Sequence, residues 1–171
     1  MLFRSDIDTI PEIDEYIIIT NGRFANIFEF WAKKQHYTKP IRVVDDGTVT
    51  NETRLGAVCD LLFAMDKLGL DDDLLVVAAD NILFFSFQEF VDFAYSKQTS
   101  CIMCHEQPSI EKLQRTGVIV VDENWRVLNM EEKPQVPKST WAVPPFYIYL
   151  DRKSTRLNSS HNVASRMPSS A

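Results

Sequence analysis

The stretch DLLVVAAD, residues 73–80, carries a run of consecutive apolar residues between two aspartates. A short run that is apolar at consecutive positions is typical of a strand covered on both faces. Asp80 and Asn81 follow the run and would stand at the carboxyl end of that strand. Ligands of open α/β sheets bind beyond the carboxyl ends of the strands. The stretch therefore predicts a strand of an α/β sheet and the edge where a ligand would bind.

Strand-like and helix-like segments alternate on both sides of this stretch. Runs of β-branched and aromatic residues predict strands at residues 15–20, 40–47, 99–106 and 146–150, and a hairpin at residues 117–132 that turns at 122–125. Helical spacing predicts a short helix at 109–114 and three longer ones with the apolar faces Phe24, Ile27, Phe28 and Trp31; Leu55, Val58, Leu62 and Met65; and Phe87, Phe90, Val91 and Ala94. Because parallel neighbours require crossover connections, this alternation predicts a doubly wound, mostly parallel α/β sheet with helices on both faces.

The composition excludes several classes of function. The chain has 171 residues, of which 45% are hydrophobic, and a net charge of −6. It therefore predicts one globular domain and argues against nucleic-acid and anionic-membrane partners, which require a basic surface. No apolar run reaches the ~18 residues that span a bilayer, no signal peptide is recognisable, and the three cysteines fit reduced thiols. We expect a cytoplasmic protein; nothing in these patterns indicates an oligomeric state.

Both ends of the chain depart from the pattern between them. Residues 151–171, DRKSTRLNSSHNVASRMPSSA, are rich in serine and contain no aromatic residue, which is typical of disorder. Back-translated, this segment resembles a common sequencing adapter, and residues 1–5, MLFRS, fit the same adapter. We expect non-native, disordered flanks around a domain at residues 6–150. The alternative is a natural flexible tail.

Asp80 is the first candidate for chemistry. A carboxylate at the mouth of an apolar strand requires compensation by a cation or by N–H donors. It suits Mg²⁺, a hard cation that prefers oxygen ligands and often takes only one or two from the protein. The alternative is a turn aspartate that caps its own backbone.

A second candidate is the cluster in NMEEKPQVPKST, residues 129–140. Glu131, Glu132 and Lys133 offer neighbouring acceptors and a cation, and Pro134 restricts the chain after them. A carboxylate can accept hydrogen bonds from two sugar hydroxyls, and an ammonium group can neutralise a phosphate. The alternative is a solvated charged edge of a strand.

A third candidate is the polar loop DGTVTNETRLGAV, residues 46–58, which leads into a helix. The amides of a helix N-terminus could face an anion or a base. Equally, Asn51 or Thr53 would cap the helix and Gly56 would pack closely. Cys101 and Cys104 stand three apart on a predicted strand and so on opposite faces, which favours a structural role over a metal site.

Five blocks taken in order resemble the sugar-1-phosphate nucleotidyltransferases, the glucose-1-phosphate thymidylyltransferase-like family. They are IPEIDEYIIITN, TNETRLGAVCDLLF, DDDLLVVAADNILF, GVIVV and VLNMEEKPQVPKSTWA, and the resemblance runs from about residue 8 to residue 150. It implies a nucleotide-diphospho-sugar transferase-like, Rossmann-like fold. It also implies an enzyme that joins a nucleoside triphosphate to a sugar 1-phosphate with Mg²⁺ and releases pyrophosphate.

The resemblance implies roles for the positions that match. Asp80 would bind Mg²⁺, and Asn81 beside it would contact substrate. Glu132 would hold sugar hydroxyls and Lys133 the sugar phosphate, which makes Asp80 and Lys133 the catalytic residues. The remaining substrate-binding positions are Gly117 near the sugar, and Asn51, Glu52, Leu55 and Gly56 near the nucleotide base.

The chain also departs from the family pattern. Ala79, Thr116 and Pro144-Pro145 stand where the family has other residues. The glycine-rich loop, the catalytic lysine near the N-terminus and a second metal-binding aspartate have no match. We therefore expect a fold truncated at both ends, an internal fragment that is inactive alone. Two other functions stay open: a nucleotide-sugar-dependent glycosyltransferase, although its usual pair of aspartates two residues apart is absent, and a non-catalytic regulatory domain that binds sugar nucleotides.

Overall fold

The structure, a computed structural model, describes residues 7–50, 52–81 and 85–151 and the backbone of residues 163–166. Its contacts divide the chain into two compact units, an N-terminal unit that ends at Asp71 and a C-terminal unit that begins at Asp72. Each unit has its own sheet and is described by itself. None of the helices in the described residues has the length and hydrophobicity that a membrane span needs.

The N-terminal unit is built on a β-α-β arrangement. After a 3-10 turn at Ile7–Thr9, its elements are β1 (Tyr16–Thr20), α1 (Ala25–Lys33), β2 (Ile41–Asp45) and α2 (Ala57–Leu68). β1 and β2 pair in parallel along their full length, with α1 as the crossover between them. These strands and helices are confirmed where the sequence predicts them. Gly69 ends α2 in a left-handed conformation, with φ of 62°, as a glycine after a helix commonly does.

The predicted apolar faces of these two helices are not buried. Ile27 on α1 is 62% exposed, and Val58 and Leu62 on α2 are 72% and 58% exposed. Helical spacing identifies the apolar stripe of a helix but not the element that covers it. The described sheet of this unit has two strands, which offer little surface to cover two helices.

The C-terminal unit contains most of the strands. Its elements are β3 (Leu74–Val77), α3 (Gln88–Lys97), β4 (Cys101–Glu106), α4 (Ile110–Leu113), β5 (Gly117–Val121), β6 (Val127–Glu132), β7 (Trp141–Val143), β8 (Phe146–Tyr149) and β9 (Val163–Arg166). The strand order is β3-β8-β4-β7-β5-β6, and β9 pairs with β4. The predicted hairpin is confirmed as β5 and β6. β7 and β9 were not predicted.

The α/β fold class is confirmed, and the pairing within the C-terminal sheet is mixed. β3 and β4 both pair antiparallel with β8, and β4 and β5 both pair antiparallel with β7. β3, β4 and β5 therefore run in one direction, as the alternation of strands and helices predicts, but a later strand lies between them. Direct parallel pairs in the described residues are β1–β2 and β4–β9. Alternation fixes the direction of successive strands but not which strands become neighbours.

Two prolines separate β7 from β8. Pro144 and Pro145 have no N–H to donate to a ladder. The carbonyl of Pro145 still accepts a hydrogen bond of 3.2 Å from the Ala78 N–H. The segment of residues 141–149 thus has two successive partners along one edge. Its first part, β7, pairs with β5, and its second part, β8, pairs with β3.

Part of the core of the C-terminal unit is formed by α3 and the residue before it. Phe87, Phe90 and Ala94 are buried, which confirms the predicted face of this helix. The rings of Phe87 and Phe146 meet edge to face at 5.3 Å. Ser86 accepts a hydrogen bond of 3.1 Å from the Gln88 N–H at the start of α3.

The backbone of residues 163–166 pairs in parallel with β4, with Val163 opposite Cys101. This differs from the disordered flank that the sequence predicts there. The open edge of a strand offers main-chain donors and acceptors that can pair with another segment whatever its side chains. Asp151, the first residue of the predicted C-terminal flank, is described. The other residues of the predicted flanks, 1–5, 152–162 and 167–171, lie outside the described residues. The origin of both ends stays a prediction.

Candidate functional site

The end of β3 presents Asp80 and Asn81. Val77 pairs with Phe146, and the Ala78 N–H makes the last ladder bond. Asp80 is exposed, and its Oδ1 accepts a hydrogen bond of 2.9 Å from the Asn81 amide, which also donates to the Ala78 carbonyl at 3.3 Å. Asn81 therefore links the Asp80 carboxylate to the end of the strand.

Gly117, Glu132 and Lys133 come together where β5 begins and β6 ends. Gly117 pairs with Glu132 across the two strands. The Lys133 N–H donates to the Thr116 carbonyl at 3.0 Å. A Cβ placed on Gly117 would lie 3.4 Å from Glu132 Oε2, so the carboxylate lies over the bare backbone of the glycine. These three positions are among those that the resemblance implies, and in the structure Glu132 lies between the other two as the neighbour of both.

Lys133 has an unusual backbone conformation. Its φ is 48°, in the left-handed region, although it is not a glycine. For a residue with a Cβ this region costs about 1 kcal/mol or more. Such outliers persist when the surrounding structure enforces them and are common at functional sites.

The Lys133 and Glu132 side chains form an exposed ion pair. Lys133 Nζ lies 3.5 Å from Glu132 Oε1, and the two side chains are 63% and 66% exposed. Exposed pairs of this kind contribute little to stability because water competes for both charges. A ligand with hydroxyls and a phosphate can therefore replace the contact at small cost.

The strand register places the end of β3 and the start of β5 along one edge of the 141–149 segment. β4 pairs with both β7 and β8, so β3 and β5 share the opposite edge of the 141–149 segment. On that edge Phe146 pairs with Val77 and Val143 pairs with Gly117. Pro144 and Pro145 lie between these two pairs, and the Phe146 N–H donates to the Pro144 carbonyl at 2.7 Å, so the chain turns there. β3 ends on one side of this turn, and β5 begins on the other.

The other predicted substrate-binding positions lie in the N-terminal unit. Glu52 is exposed, and a hydrogen bond from Thr50 lowers the pKa of its carboxyl. Leu55 is exposed, and Gly56 is the N-cap of α2 with φ of 87°. Asn51 lies outside the described residues.

The structure corrects the alternative reading of this loop. Thr53 does not cap α2; its hydroxyl contacts the Thr50 carbonyl at 3.2 Å. Gly56 is not a close-packing position, because a Cβ there would meet nothing within 4 Å. A glycine is favoured at this N-cap by its positive φ. Spacing alone cannot reveal that requirement.

The cysteine pair has the structural role that the sequence favours. Cys101 and Cys104 are both buried and free. Burial raises the pKa of the Cys101 thiol to about 12, so this thiol stays protonated and unreactive. Within the described residues, no group of three or more histidine, cysteine or acidic side chains could hold a metal ion.

Sequence reasoning missed one contact beside the site. Glu131 forms an ion pair with Lys138, on the far side of the loop that carries Lys133. This bond lowers the pKa of the Glu131 carboxyl, and a hydrogen bond from Asn129 contributes to the same shift. A signal was present in the sequence, since opposite charges flank a short segment with two prolines. The contact between Glu131 and Lys138 depends on the path of the loop that connects β6 to β7, which the sequence does not reveal.

Comparison with known proteins then decides the family. The nucleotidyl transferase family model matches residues 8–166. The chain belongs to the nucleotidyl transferase family. This match covers both the strand end at Asp80 and the Gly117, Glu132 and Lys133 cluster.

Individual relatives agree with the family. The chain is 35% identical over 83 residues to a glucose-1-phosphate thymidylyltransferase of Neisseria meningitidis, a match covering 48% of this chain and 28% of that protein. It is 30% identical over 79 residues to a glucose-1-phosphate adenylyltransferase of Thermosipho melanesiensis, covering 46% and 19%. These matches thus span less than a third of either relative's length.

A solved structure supports the fold. It is a Bacillus anthracis protein assigned as a glucose-1-phosphate thymidylyltransferase and crystallised with sucrose. The TM-score is 0.64 at 20% identity, and the match covers 89% of this chain and 67% of that one. At this identity the likeness establishes only that the two chains share an α/β fold.

Proposed function

We propose that this nucleotidyl transferase chain serves the transfer of a nucleotidyl group from a nucleoside triphosphate to a sugar 1-phosphate, giving a nucleotide-sugar and pyrophosphate. The observation that carries the proposal is that Glu132 lies opposite Gly117 and pairs with Lys133 where β5 begins and β6 ends. The names of the relatives support it, because they are sugar-1-phosphate nucleotidyltransferases that differ in base. A cytoplasmic location, where thiols stay reduced, is part of the proposal.

The reaction requires two polyanions to meet. An oxygen of the sugar phosphate attacks the α-phosphorus, and the bond to pyrophosphate breaks in line with the attack. Catalysis of such a step consists of positioning and of neutralising the charge that develops. Lys133 supplies a cation for the sugar phosphate, and Glu132 accepts hydrogen bonds from the sugar hydroxyls. Gly117, opposite Glu132, presents no side chain to the sugar.

Asp80 is the proposed ligand of Mg²⁺. Its carboxylate is exposed just after β3 and accepts a hydrogen bond from the Asn81 side-chain amide. One carboxylate fits this ion, since Mg²⁺ commonly takes one or two from the protein and completes its shell with water and phosphates. When bound, Mg²⁺ neutralises phosphate charge.

The nucleotide base is proposed to lie near Asn51, Glu52, Leu55 and Gly56. Gly56 starts α2, and a helix N-terminus presents N–H groups that can donate to a base or a phosphate. Leu55 is exposed beside it and offers an apolar contact. This part of the proposal rests on the resemblance and on that local geometry.

Binding of glucose 1-phosphate tests the sugar site. Titration of the full chain, followed by NMR, should shift the amides of Gly117 and Lys133. Glu132→Gln and Lys133→Met should each weaken binding about tenfold, because each removes a charge-assisted contact. Leu128→Ala is the matched control, an exposed residue on the same strand, and should bind like the wild type. Failure of the wild type to bind any of several sugar 1-phosphates would refute the proposal.

Metal binding tests Asp80 separately. Mn²⁺ should broaden the amide signals of Asp80 and Asn81 selectively, and Asp80→Asn should abolish that broadening. Asp72→Asn, an exposed aspartate in the turn before β3, should leave it intact. Because the fragment is expected to be inactive alone, release of pyrophosphate is measured on the product of the full-length gene, where it separates an enzyme from a domain that only binds sugar nucleotides.

A further inference from the structure

The loop between β6 and β7, residues 133–140, is held on both sides. The Gln114 side-chain amide donates to the Gln135 carbonyl at 2.6 Å. The Ser139 hydroxyl donates to the Ile119 carbonyl, and Lys138 pairs with Glu131. The loop therefore leaves β6 at Lys133 and is tied back to the same strand at Lys138.

Lys133 needs such support. A residue with a Cβ is sterically disfavoured at φ of 48°, so the surrounding structure must stabilise this conformation of Lys133. The Lys133 N–H donates to the Thr116 carbonyl. This bond holds the backbone of Lys133 against the residue that precedes β5. The Glu131–Lys138 ion pair closes the loop on the other side of the residue. The next residue, Pro134, is buried and has little freedom to follow a change at Lys133.

The Glu131–Lys138 pair lies on the face of β6 opposite to the Glu132 side chain, because successive side chains of a strand point to opposite faces. Glu131 and Glu132 are successive residues of β6. Lys138 is bound to the first of them and Lys133 to the second. The two lysines of the loop therefore serve opposite faces of the strand.

We propose that Lys138, through Glu131, is a positioning residue that holds Lys133 in its left-handed conformation and so keeps the Lys133 ammonium beside Glu132. The inference rests on the proposed function for its consequence, the binding of a sugar 1-phosphate. Its structural part, the conformation of Lys133, is independent of any ligand.

The conformational part is tested on the full chain without ligand. In Lys138→Gln the ¹³Cα and ¹³Cβ shifts of Lys133 should move away from left-handed values, and in Lys138→Arg they should stay. Lys112→Gln is the matched control, because Lys112 is an exposed lysine on α4, and it should leave them unchanged. Unchanged Lys133 shifts in Lys138→Gln would overturn the proposal, even if the chain bound no sugar 1-phosphate.

The functional part is tested by a double-mutant cycle with glucose 1-phosphate. Lys138→Gln should raise Kd about two- to fivefold, the range measured for the loss of an exposed ion pair. In a Lys133→Met background it should change Kd no further, because its effect passes through Lys133. Equal effects in both backgrounds would mean that Lys138 contacts the phosphate itself. A fall in Tm with no change in Kd would mean a structural role only, and either result overturns the proposal.

The two tests separate the ways in which these ideas can fail. If the wild type binds no sugar 1-phosphate, the proposed function fails while the Lys133 shifts still decide the positioning role. If the wild type binds and Lys138→Gln changes neither the shifts nor Kd, the proposed function stands and the positioning role fails. Rescue of both readouts by Lys138→Arg completes the case for the ion pair.

Discussion

Gly117 and Glu132 lie directly opposite each other on β5 and β6, and the glycine leaves the space that the Glu132 carboxylate occupies. A methyl group at position 117 would come within 3.4 Å of Glu132 Oε2 and of Met130 Cε. The Glu132 carboxylate therefore lies in van der Waals range of the position that a side chain at residue 117 would take.

The first prediction follows from this space. Gly117→Ala should crowd the Glu132 carboxylate and raise Kd for glucose 1-phosphate up to about fivefold, the cost of one hydrogen bond. The free energy of unfolding should rise by about 0.5 kcal/mol or stay level, since glycine is unfavourable within a strand. Titration and urea unfolding measure the two effects. Leu128→Ala serves again as control, and an unchanged Kd in Gly117→Ala would separate the glycine from the site.

The second prediction concerns the backbone of Lys133. Lys133→Gly should unfold at a higher urea concentration than Lys133→Ala, by about 1 kcal/mol in the free energy of unfolding, because only glycine accepts φ of 48° without strain. Both variants lose the ammonium group and should bind glucose 1-phosphate about tenfold more weakly than the wild type. Equal stability of the two variants would show that the left-handed conformation is not maintained in solution.

Much of the fold was predictable because single segments carry strong patterns. α3 is the clearest case: the predicted face of Phe87, Phe90, Val91 and Ala94 is buried as a whole. The β5–β6 hairpin was predictable from two strand patterns around a polar turn. The insertion of β7 and β8 between β3, β4 and β5 was not, since pairing across long stretches of sequence depends on the packing of the whole sheet.

The site was predictable only as a set of positions. The resemblance names Gly117, Glu132 and Lys133, and the register then makes them neighbours. It could not reveal the left-handed Lys133 or the contact of Glu131 with Lys138, because both arise from the path of the loop. The positive φ at Gly56 likewise follows from the turn that enters α2.

The third prediction concerns cysteine reactivity. Iodoacetamide should label Cys59 alone in the native chain, because Cys59 is exposed while Cys101 and Cys104 are buried. Burial also raises the pKa of the Cys101 thiol to about 12, so little thiolate is present to react. Mass spectrometry of tryptic peptides should show one adduct in buffer and three in urea. Cys59→Ser should show none in buffer, and native labelling of Cys104 would contradict its burial.

The fourth prediction concerns the acid sensitivity of the N-terminal unit. The Asp8 carboxylate accepts hydrogen bonds from the Tyr16 hydroxyl at 3.0 Å and from the Thr38 N–H at 3.1 Å. Burial alone would raise the pKa of Asp8, but the hydrogen bonds from Thr38 and Tyr16 outweigh it and hold the pKa below its usual value. The carboxylate therefore stabilises the folded unit above the pKa of an unfolded aspartate, about 3.9. That contribution is lost as the pH falls through the lower pKa of the folded state.

Asp8→Asn should accordingly reduce the free energy of unfolding by about 1 kcal/mol at neutral pH, the contribution of a hydrogen bond to a charged acceptor on a partly exposed residue. The difference from the wild type should begin to shrink as the pH falls below about 4, where Asp8 of the unfolded chain becomes protonated, and should disappear below the lower pKa of the folded state. Urea unfolding followed by the NMR signals of β1 and β2 measures this difference in the unit concerned. Asp14→Asn, an exposed aspartate six residues on, should show no such dependence. A difference between wild type and Asp8→Asn that stayed constant from neutral to acid pH would mean that the Asp8 charge contributes nothing to the fold.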